Sequence, residues 1–122
     1  MLLNNFFFID SITQEDEKIF ATIHVEVAHS IFQGHFPEQP LVPGVCMLEM
    51  LKSVLENALN VSLLMQTASS IKFLNMFIPT ASVNASFEIT CKKNDDEKFV
   101  VQATLKNEES IYLKFQGVFI QK

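Results

Sequence analysis

Apolar residues recur along this chain with two different periods, and the change of period separates its elements. In residues 18–27 every second residue is apolar, which is the pattern of a strand that buries one face. In residues 45–61 the apolar residues recur every three or four positions, which predicts one helix of about sixteen residues. Pro43 suits the first turn of that helix, where its missing N–H needs no partner, and Asn60 suits the end.

The remaining segments have strand patterns. Residues 1–10 predict a first short strand or packing segment, and the polar residues 13–17 predict a turn after it. After the helix, residues 62–77, 83–93, 99–106 and 111–120 are rich in apolar and β-branched side chains and are separated by short polar turns, which is typical of antiparallel hairpins. The chain is therefore predicted to be α+β: a strand or two, one central helix, and then a meander whose sheet packs on the helix.

Length and composition limit the class of protein. We expect residues 1–122 to form a single domain, because 122 residues suffice for one core and not for two. Hydrophobic residues make up 48% and the mean hydropathy is +0.22, which predicts apolar surface covered by a ligand or, most simply, by a second copy in a homodimer. Nine basic residues, all lysine, against fourteen acidic ones give a net charge of −5, so nucleic acid is not expected as a partner.

Cysteine usage and the first residues bear on the compartment. Cys46 and Cys91 are too few and too far apart for a disulfide framework, so we expect a reducing, cytoplasmic environment. Residues 1–10 carry neither a basic leader nor a cleavage site, and their apolar run is too short to span a bilayer, so no membrane insertion is expected. His29 and His35 lack a third ligand at a recognisable spacing, so we expect no metal, and His24 falls on the solvent side of its strand.

The candidate chemistry of the chain is concentrated in residues 34–49. Prolines at positions 37, 40 and 43 stiffen the loop that presents His35. Gly44 stands at the predicted helix start, where free N–H groups favour an oxyanion and where the missing side chain lets another group approach the backbone. Glu49 lies about 7.5 Å further along the helix axis. Periodicity alone places Glu49 in a polar, solvated helix stripe, which also contains Lys52, Ser53, Glu56, Asn57 and Asn60.

The run of residues 35–45, with Glu49 fourteen residues after His35, resembles the signature of the 3-hydroxyacyl-acyl carrier protein dehydratases of fatty acid synthesis. Residues 71–79 also resemble a later strand of that family, in which a basic residue precedes Phe and a Pro-containing turn follows. The resemblance spans most of the chain in element order and is specific in the first motif. It implies the hot-dog fold, an antiparallel sheet wrapped around one long helix, and a homodimer whose two sheets run together.

The resemblance also implies a reaction, the dehydration of a 3-hydroxyacyl thioester to a trans-2-enoyl thioester. His35 would be the base that takes the C2 proton, Glu49 of the partner subunit the acid that helps the hydroxyl depart, and the Gly44 N–H the donor that polarises the thioester carbonyl. Each positioned acid or base is typically worth about 10²–10⁴-fold, so no cofactor is expected. The substrate would be carried by acyl carrier protein, with coenzyme A as the alternative, and dimers could gather into a larger assembly.

Three departures from the family pattern concern the substrate rather than the reaction class. Glu38 stands where the family commonly has Gly, Ser53 where it has Gln, and Pro79-Thr80-Ala81 where it has Pro-Gly-Asp. A specialised acyl pathway, such as pigment or polyene synthesis, would suit these changes as well as housekeeping lipid synthesis would. Two alternatives stay open: a hot-dog thioesterase whose carboxylate activates water, and a non-catalytic acyl-binding subunit.

An acidic carrier would be repelled at long range by a chain of net charge −5. At physiological salt, however, charges act over about 8 Å, so a local lysine cluster matters more than the total charge. Lys72, Lys92 and Lys93 are the candidates for such a contact.

Overall fold

The computed structural model describes residues 5–26, 41–79 and 84–122. In these ranges the chain forms six strands and one helix, in the predicted α+β order. The elements are β1 (Phe7–Glu15), β2 (Lys18–Val25), α1 (Gly44–Leu59), β3 (Leu63–Phe73), β4 (Ala85–Lys93), β5 (Phe99–Lys106) and β6 (Ile111–Gln121).

All six strands form one antiparallel sheet in the order β1-β2-β4-β5-β6-β3. The predicted meander is confirmed for β4, β5 and β6, which are sequential neighbours. It does not extend to β3, which lies beside β6 instead of β4, so the chain crosses the sheet through α1 between β2 and β3. β1 and β3 are consequently the two edges of the sheet.

α1 packs one apolar stripe against the inner face of the sheet. The periodicity that predicted the helix is the periodicity of this buried stripe, formed by Cys46, Met47, Met50, Leu51, Val54 and Leu55. Opposite the stripe, alternate residues of β2, β4, β5 and β6 are buried, and fully burying one large apolar side chain is typically worth about 1.5–3 kcal/mol. The helix boundaries agree with the prediction: Pro43 is the N-cap, and Asn60 adopts the left-handed conformation (φ 57°) that ends the helix.

The turn predicted at residues 13–17 is wrong for its first three residues. Glu15 pairs with Lys18, and Asp16 takes a positive φ of 55°, so the turn between β1 and β2 contains only Asp16 and Glu17. Residues 13–15 are exposed on an edge strand, where polar side chains are tolerated. Because all three are polar, the sequence there lacks the apolar alternation by which a strand is predicted.

The strand predicted over residues 62–77 ends early, at Phe73. The Leu74 N–H still donates to the Tyr112 carbonyl (3.0 Å), but residues 74–79 belong to no strand. The Val42 N–H donates to the Phe77 carbonyl (2.9 Å). The Phe77 ring stacks on Tyr112 with its centroid 4.3 Å away. Residues 74–77 are therefore tied to the segment that leads into α1, and this brings apolar side chains to the helix N-terminus.

Candidate functional site at the helix N-terminus

The first turn of α1 has a hydrogen-bond donor without a partner in the described part of the chain. The Pro43 carbonyl accepts from the N–H groups of Cys46 (3.0 Å) and Met47 (3.2 Å), and no side chain caps the helix. The Gly44 N–H donates to no acceptor within the described residues. Unpaired N–H groups at a helix start carry the positive end of the helix dipole, so Gly44 offers a donor for a partly negative oxygen.

Position 44 requires glycine because no side chain would fit there, and not because of the backbone conformation. Its φ is not positive, but a Cβ at this position would lie 2.7 Å from Cζ of Phe73 and 3.0 Å from both Cε atoms of that ring. The sequence predicted that a group approaches the backbone closely at Gly44. Within the structure that group is the Phe73 ring, which the sequence did not indicate because the contact joins α1 to the far end of β3.

Glu49 lies on the side of α1 that faces away from its own core. At about 100° per residue, its position is about 150° from the centre of the buried stripe. The residue is nevertheless half-buried, as are Lys52 and Ser53, whereas Asn57 and Asn60 are exposed. The polar stripe of α1 is thus not uniformly exposed to solvent. Its residues in the first turns of the helix are more buried than those at the end.

Glu49 lies close to the buried thiol of Cys46. Burial raises the pKa of the Cys46 thiol, and the Glu49 carboxylate raises it further, so the two groups are close enough to interact across one helical turn. Glu49 itself makes no hydrogen bond or ion pair within the described residues, whereas Glu56 on the same helix accepts a hydrogen bond from the Leu63 N–H (2.8 Å). Glu56 thus has a structural role at the start of β3, which Glu49 does not share within the described residues.

An apolar groove of about 480 Å³ opens beside the helix N-terminus. It is lined by residues 41, 42, 44 and 47 on the helix side and by residues 73–77 on the other. Phe73 is 49% exposed and Met76 70% exposed, although both are large apolar residues. Clustered exposed apolar side chains mark a binding surface, and the volume suits a small organic group.

Two of the three predicted site residues are within the described part of the chain. Gly44 and Glu49 lie on one helix, five residues apart, and of the two only Gly44 lines the groove. His35 lies outside the described residues, as do His29, Glu38 and residues 80–81 of the altered turn. Ser53 is half-buried one turn beyond Glu49.

The outer face of the sheet carries a separate polar trough of about 470 Å³. Lys72 and Lys114 lie directly opposite each other on β3 and β6 at one side of it, and Lys18 also lines it. None of these three lysines makes an ion pair with a described carboxylate, and Glu88, which also lines the trough, is paired with Lys106. Like charges opposite each other destabilise a sheet, so this arrangement is costly unless an anion binds there.

The other two candidate lysines have intramolecular partners. Lys92 lies 3.7 Å from Glu17 and Lys93 lies 3.9 Å from Glu97. Exposed pairs of this length contribute little energy, but they reduce the positive charge that an acidic partner would meet. The sequence could not reveal Lys114 as the neighbour of Lys72, because that relation depends on strand register.

His24 lies on the outer face of the sheet, as predicted. Its Nδ1 is 2.7 Å from one oxygen of Asp10 and 2.9 Å from the other, and its ring stacks on Phe8 at 5.0 Å. In the described ranges no three His, Cys, Asp or Glu side chains gather as a metal site. No helix in these ranges is both long enough and apolar enough to cross a membrane.

Comparison with known proteins decides the family. A model of ApeI-like proteins, described as ApeI dehydratase, matches residues 11–115. The chain belongs to the ApeI-like dehydratase family. Among curated proteins it is similar to the 3-hydroxyacyl-acyl-carrier-protein dehydratase FabZ of Oceanobacillus iheyensis, with 48% identity over 48 residues, 38% of this chain and 34% of that protein. The match thus spans about a third of the length of such relatives.

Solved structures establish the fold of this ApeI-like chain. The dehydratase heterocomplex ApeI:P of Xenorhabdus doucetiae superimposes with a TM-score of 0.69 at 14% identity, over 91% of this chain and 96% of that one. A hypothetical thioesterase of Streptococcus pneumoniae, solved with coenzyme A, superimposes with a TM-score of 0.68 at 12% identity, over 99% and 91% of the two chains. The prediction of an α+β hot-dog fold is confirmed.

Proposed function

We propose that this ApeI-like protein removes water from 3-hydroxyacyl thioesters to give trans-2-enoyl thioesters, at a site shared by two chains. The observation that carries the proposal is that Gly44 lines an apolar groove and that its N–H has no acceptor within the described residues. Glu49, further along the same helix, likewise has no hydrogen-bond or ion-pair partner in that part of the chain. This arrangement provides a donor for the thioester oxygen, an apolar space for the acyl group and a carboxyl group for proton transfer.

The chemistry needs three groups. His35 takes a proton from C2, and the electron pair of that C–H bond moves toward the thioester carbonyl, whose oxygen accepts a hydrogen bond from the Gly44 N–H. Glu49, protonated, then gives its proton to the 3-hydroxyl, the C3–O bond breaks, and water leaves as the C2–C3 double bond forms. Each positioned acid or base contributes about 10²–10⁴-fold and one oxyanion donor about 10²–10³-fold, so protein groups alone account for a useful rate. The role of His35 rests on the sequence motif.

A second chain completes the site in this proposal. Glu49 faces away from its own core, so cover that shields it from water has to come from a second chain. β3 is an unpaired sheet edge, and its exposed apolar residues continue into the groove. A homodimer joined along β3 would cover both. Since one structural relative is a heterocomplex of dehydratase chains, a different hot-dog chain is the alternative partner.

The acyl group would arrive on an acidic carrier. Lys72 and Lys114 lie on the outer face of the strand pair that ends at the groove, and no described carboxylate neutralises them. They therefore provide a local positive surface next to the site. Coenzyme A remains the alternative carrier, and it presents phosphate to the same lysines.

A thioesterase is the second candidate. One structural neighbour is described as a hypothetical thioesterase. The half-buried Glu49, which has no partner within the described residues, could activate a water molecule beside the Gly44 N–H. This reaction would cleave the thioester and would not require His35.

One assay distinguishes the two reactions. Purified protein is incubated with a 3-hydroxyacyl thioester, and enoyl thioester and free thiol are measured separately. We expect enoyl thioester to form without added cofactor, with most of that activity lost in His35→Ala and Glu49→Gln. Glu56→Gln is the matched control, because it makes the same chemical change on the same helix and keeps an oxygen to accept from the Leu63 N–H. Free thiol without enoyl product would overturn the proposal in favour of the thioesterase.

A further inference from the structure

Phe73 occupies an unusual place for an inward-facing aromatic residue. It is the last residue of β3 and pairs with Leu113, which is fully buried, yet Phe73 itself is 49% exposed. Phe73 does not hold residues 74–77 in place either. Phe77 does so, since it is buried and stacked on Tyr112. Half of the Phe73 ring is therefore open on the groove, and Phe73 is not the residue that fixes the segment after β3.

The tip of this ring is directed at the start of α1. A single carbon added to Gly44 would lie 2.7–3.0 Å from three atoms of the ring tip, which is closer than carbon atoms approach each other without contact strain. No methyl-sized group fits between the ring and the Gly44 Cα. Phe73 thus narrows the groove beside Gly44.

We infer that Phe73 determines which acyl groups the site accepts, by excluding substituents next to the thioester carbonyl. The inference rests on the proposed function, in which the carbonyl oxygen binds the Gly44 N–H. C2 of the acyl group then lies beside the ring tip. An unbranched 3-hydroxyacyl group passes the ring, whereas a methyl branch at C2 meets it.

The kinetic test compares unbranched and 2-methyl-branched 3-hydroxyacyl thioesters. The wild-type protein is expected to favour the unbranched substrate by about tenfold or more in kcat/KM, the usual discrimination for one methyl group in an apolar pocket. Phe73→Leu shortens the ring tip and should reduce this ratio to near one. Phe8→Leu is the matched control, since Phe8 is an exposed strand phenylalanine that stacks on His24 on the outer face, and it should keep the wild-type ratio.

A binding test separates this inference from the proposed reaction. Saturated acyl amide analogues, with nitrogen in place of the thioester sulfur, undergo neither dehydration nor thioester cleavage, so calorimetry reports recognition alone. Loss of the preference for the unbranched analogue in folded Phe73→Leu would support the role of Phe73 even if no enoyl product forms. A preference unchanged in Phe73→Leu, or a wild-type protein that binds both analogues equally or neither, would overturn it.

The chain also permits a direct optical check. It contains no tryptophan, so Phe73→Trp introduces a single reporter at the ring position. We expect its emission to change when the unbranched analogue is added. An unchanged emission, with binding confirmed by calorimetry, would show that the acyl group lies elsewhere and would overturn the inference.

Discussion

The two edge strands of the sheet differ in how they are protected. β1 is bulged between Ile9 and Ser11 and carries the charged residues Asp10 and Glu15, features that keep an edge from pairing with another chain. β3 is also bulged, but in eleven residues its only charge is Lys72, and large apolar side chains on both of its faces are exposed. The contrast indicates that β1 ends the sheet, whereas β3 is adapted to be covered.

This difference also positions the candidate site. The protected edge, β1, pairs with β2. A two-residue turn and the Asp10–His24 hydrogen bond connect these two strands within one chain. The open edge ends at Phe73, beside Gly44 and the groove. The uncovered surface and the candidate chemistry are therefore at the same end of β3.

The largest effect is expected from the carboxylate near the open edge. Glu49→Gln should lower the dehydration rate by about 10²–10⁴-fold, the usual contribution of a positioned acid. Steady-state formation of enoyl thioester measures it. Equal loss in Glu56→Gln would show that the helix tolerates no such change and would remove the support for a specific role of Glu49.

The next effect concerns the pH dependence of stability and arises at Cys91 on β4, near the turn between β1 and β2. Burial and the Glu17 carboxylate raise the pKa of the Cys91 thiol from 9.0 to about 11, so the folded state holds this proton more tightly than the unfolded state does. The contribution is complete below pH 9.0 and is lost as the pH rises to about 11. The free energy of unfolding should fall by about 2 kcal/mol over this window. Denaturant titrations should show a smaller fall in Cys91→Ala, and an equal fall would contradict the assignment.

A matched pair of threonines tests the edges themselves. Thr67 on β3 and Thr13 on β1 are both exposed, so neither Thr67→Asp nor Thr13→Asp should disturb the folding of a single chain. A charge on a pairing edge should weaken dimerisation, by about tenfold or more in Kd for a cost of about 1.4 kcal/mol, whereas the same charge on β1 should not. Analytical ultracentrifugation measures this. Equal dimerisation of the two variants would mean that β3 is not the pairing edge.

The smallest effect is expected on the outer face. Replacing Lys72 and Lys114 by Gln should raise KM for a carrier-protein thioester a few-fold and leave KM for a small thioester unchanged, because exposed charges act weakly and mainly on association. The difference should shrink in high salt. Lys92→Gln is the control, since Glu17 already pairs with that lysine.

The sequence predicts the regular parts of this fold well because their burial is periodic. The ends of α1 and the bounds of β5 are as predicted, and alternate residues of β5 are buried on the inner face. The prediction failed where burial is not periodic, at the polar end of β1 and in residues 74–77, which are held by contacts with Val42 and Tyr112. Neither contact has a signal in a linear pattern.

The candidate site is predictable in part for the same reason. Gly44 and Glu49 belong to one local motif and could be named from sequence spacing. Phe73 and Lys114 could not, because each acquires its role only when β3 pairs with β6 and its end meets α1. Contacts between distant segments depend on strand order and register, which this sequence did not reveal.

Mixing two inactive variants tests the central claim, a site shared between chains, most directly. His35→Ala and Glu49→Gln proteins are unfolded together, refolded as a mixture and assayed for enoyl thioester. In a two-fold dimer half of the mixed population is heterodimeric, and each heterodimer has one site in which both residues are intact, so about a quarter of the wild-type activity should return. If heterodimers form and no activity returns, His35 and Glu49 do not meet across the interface.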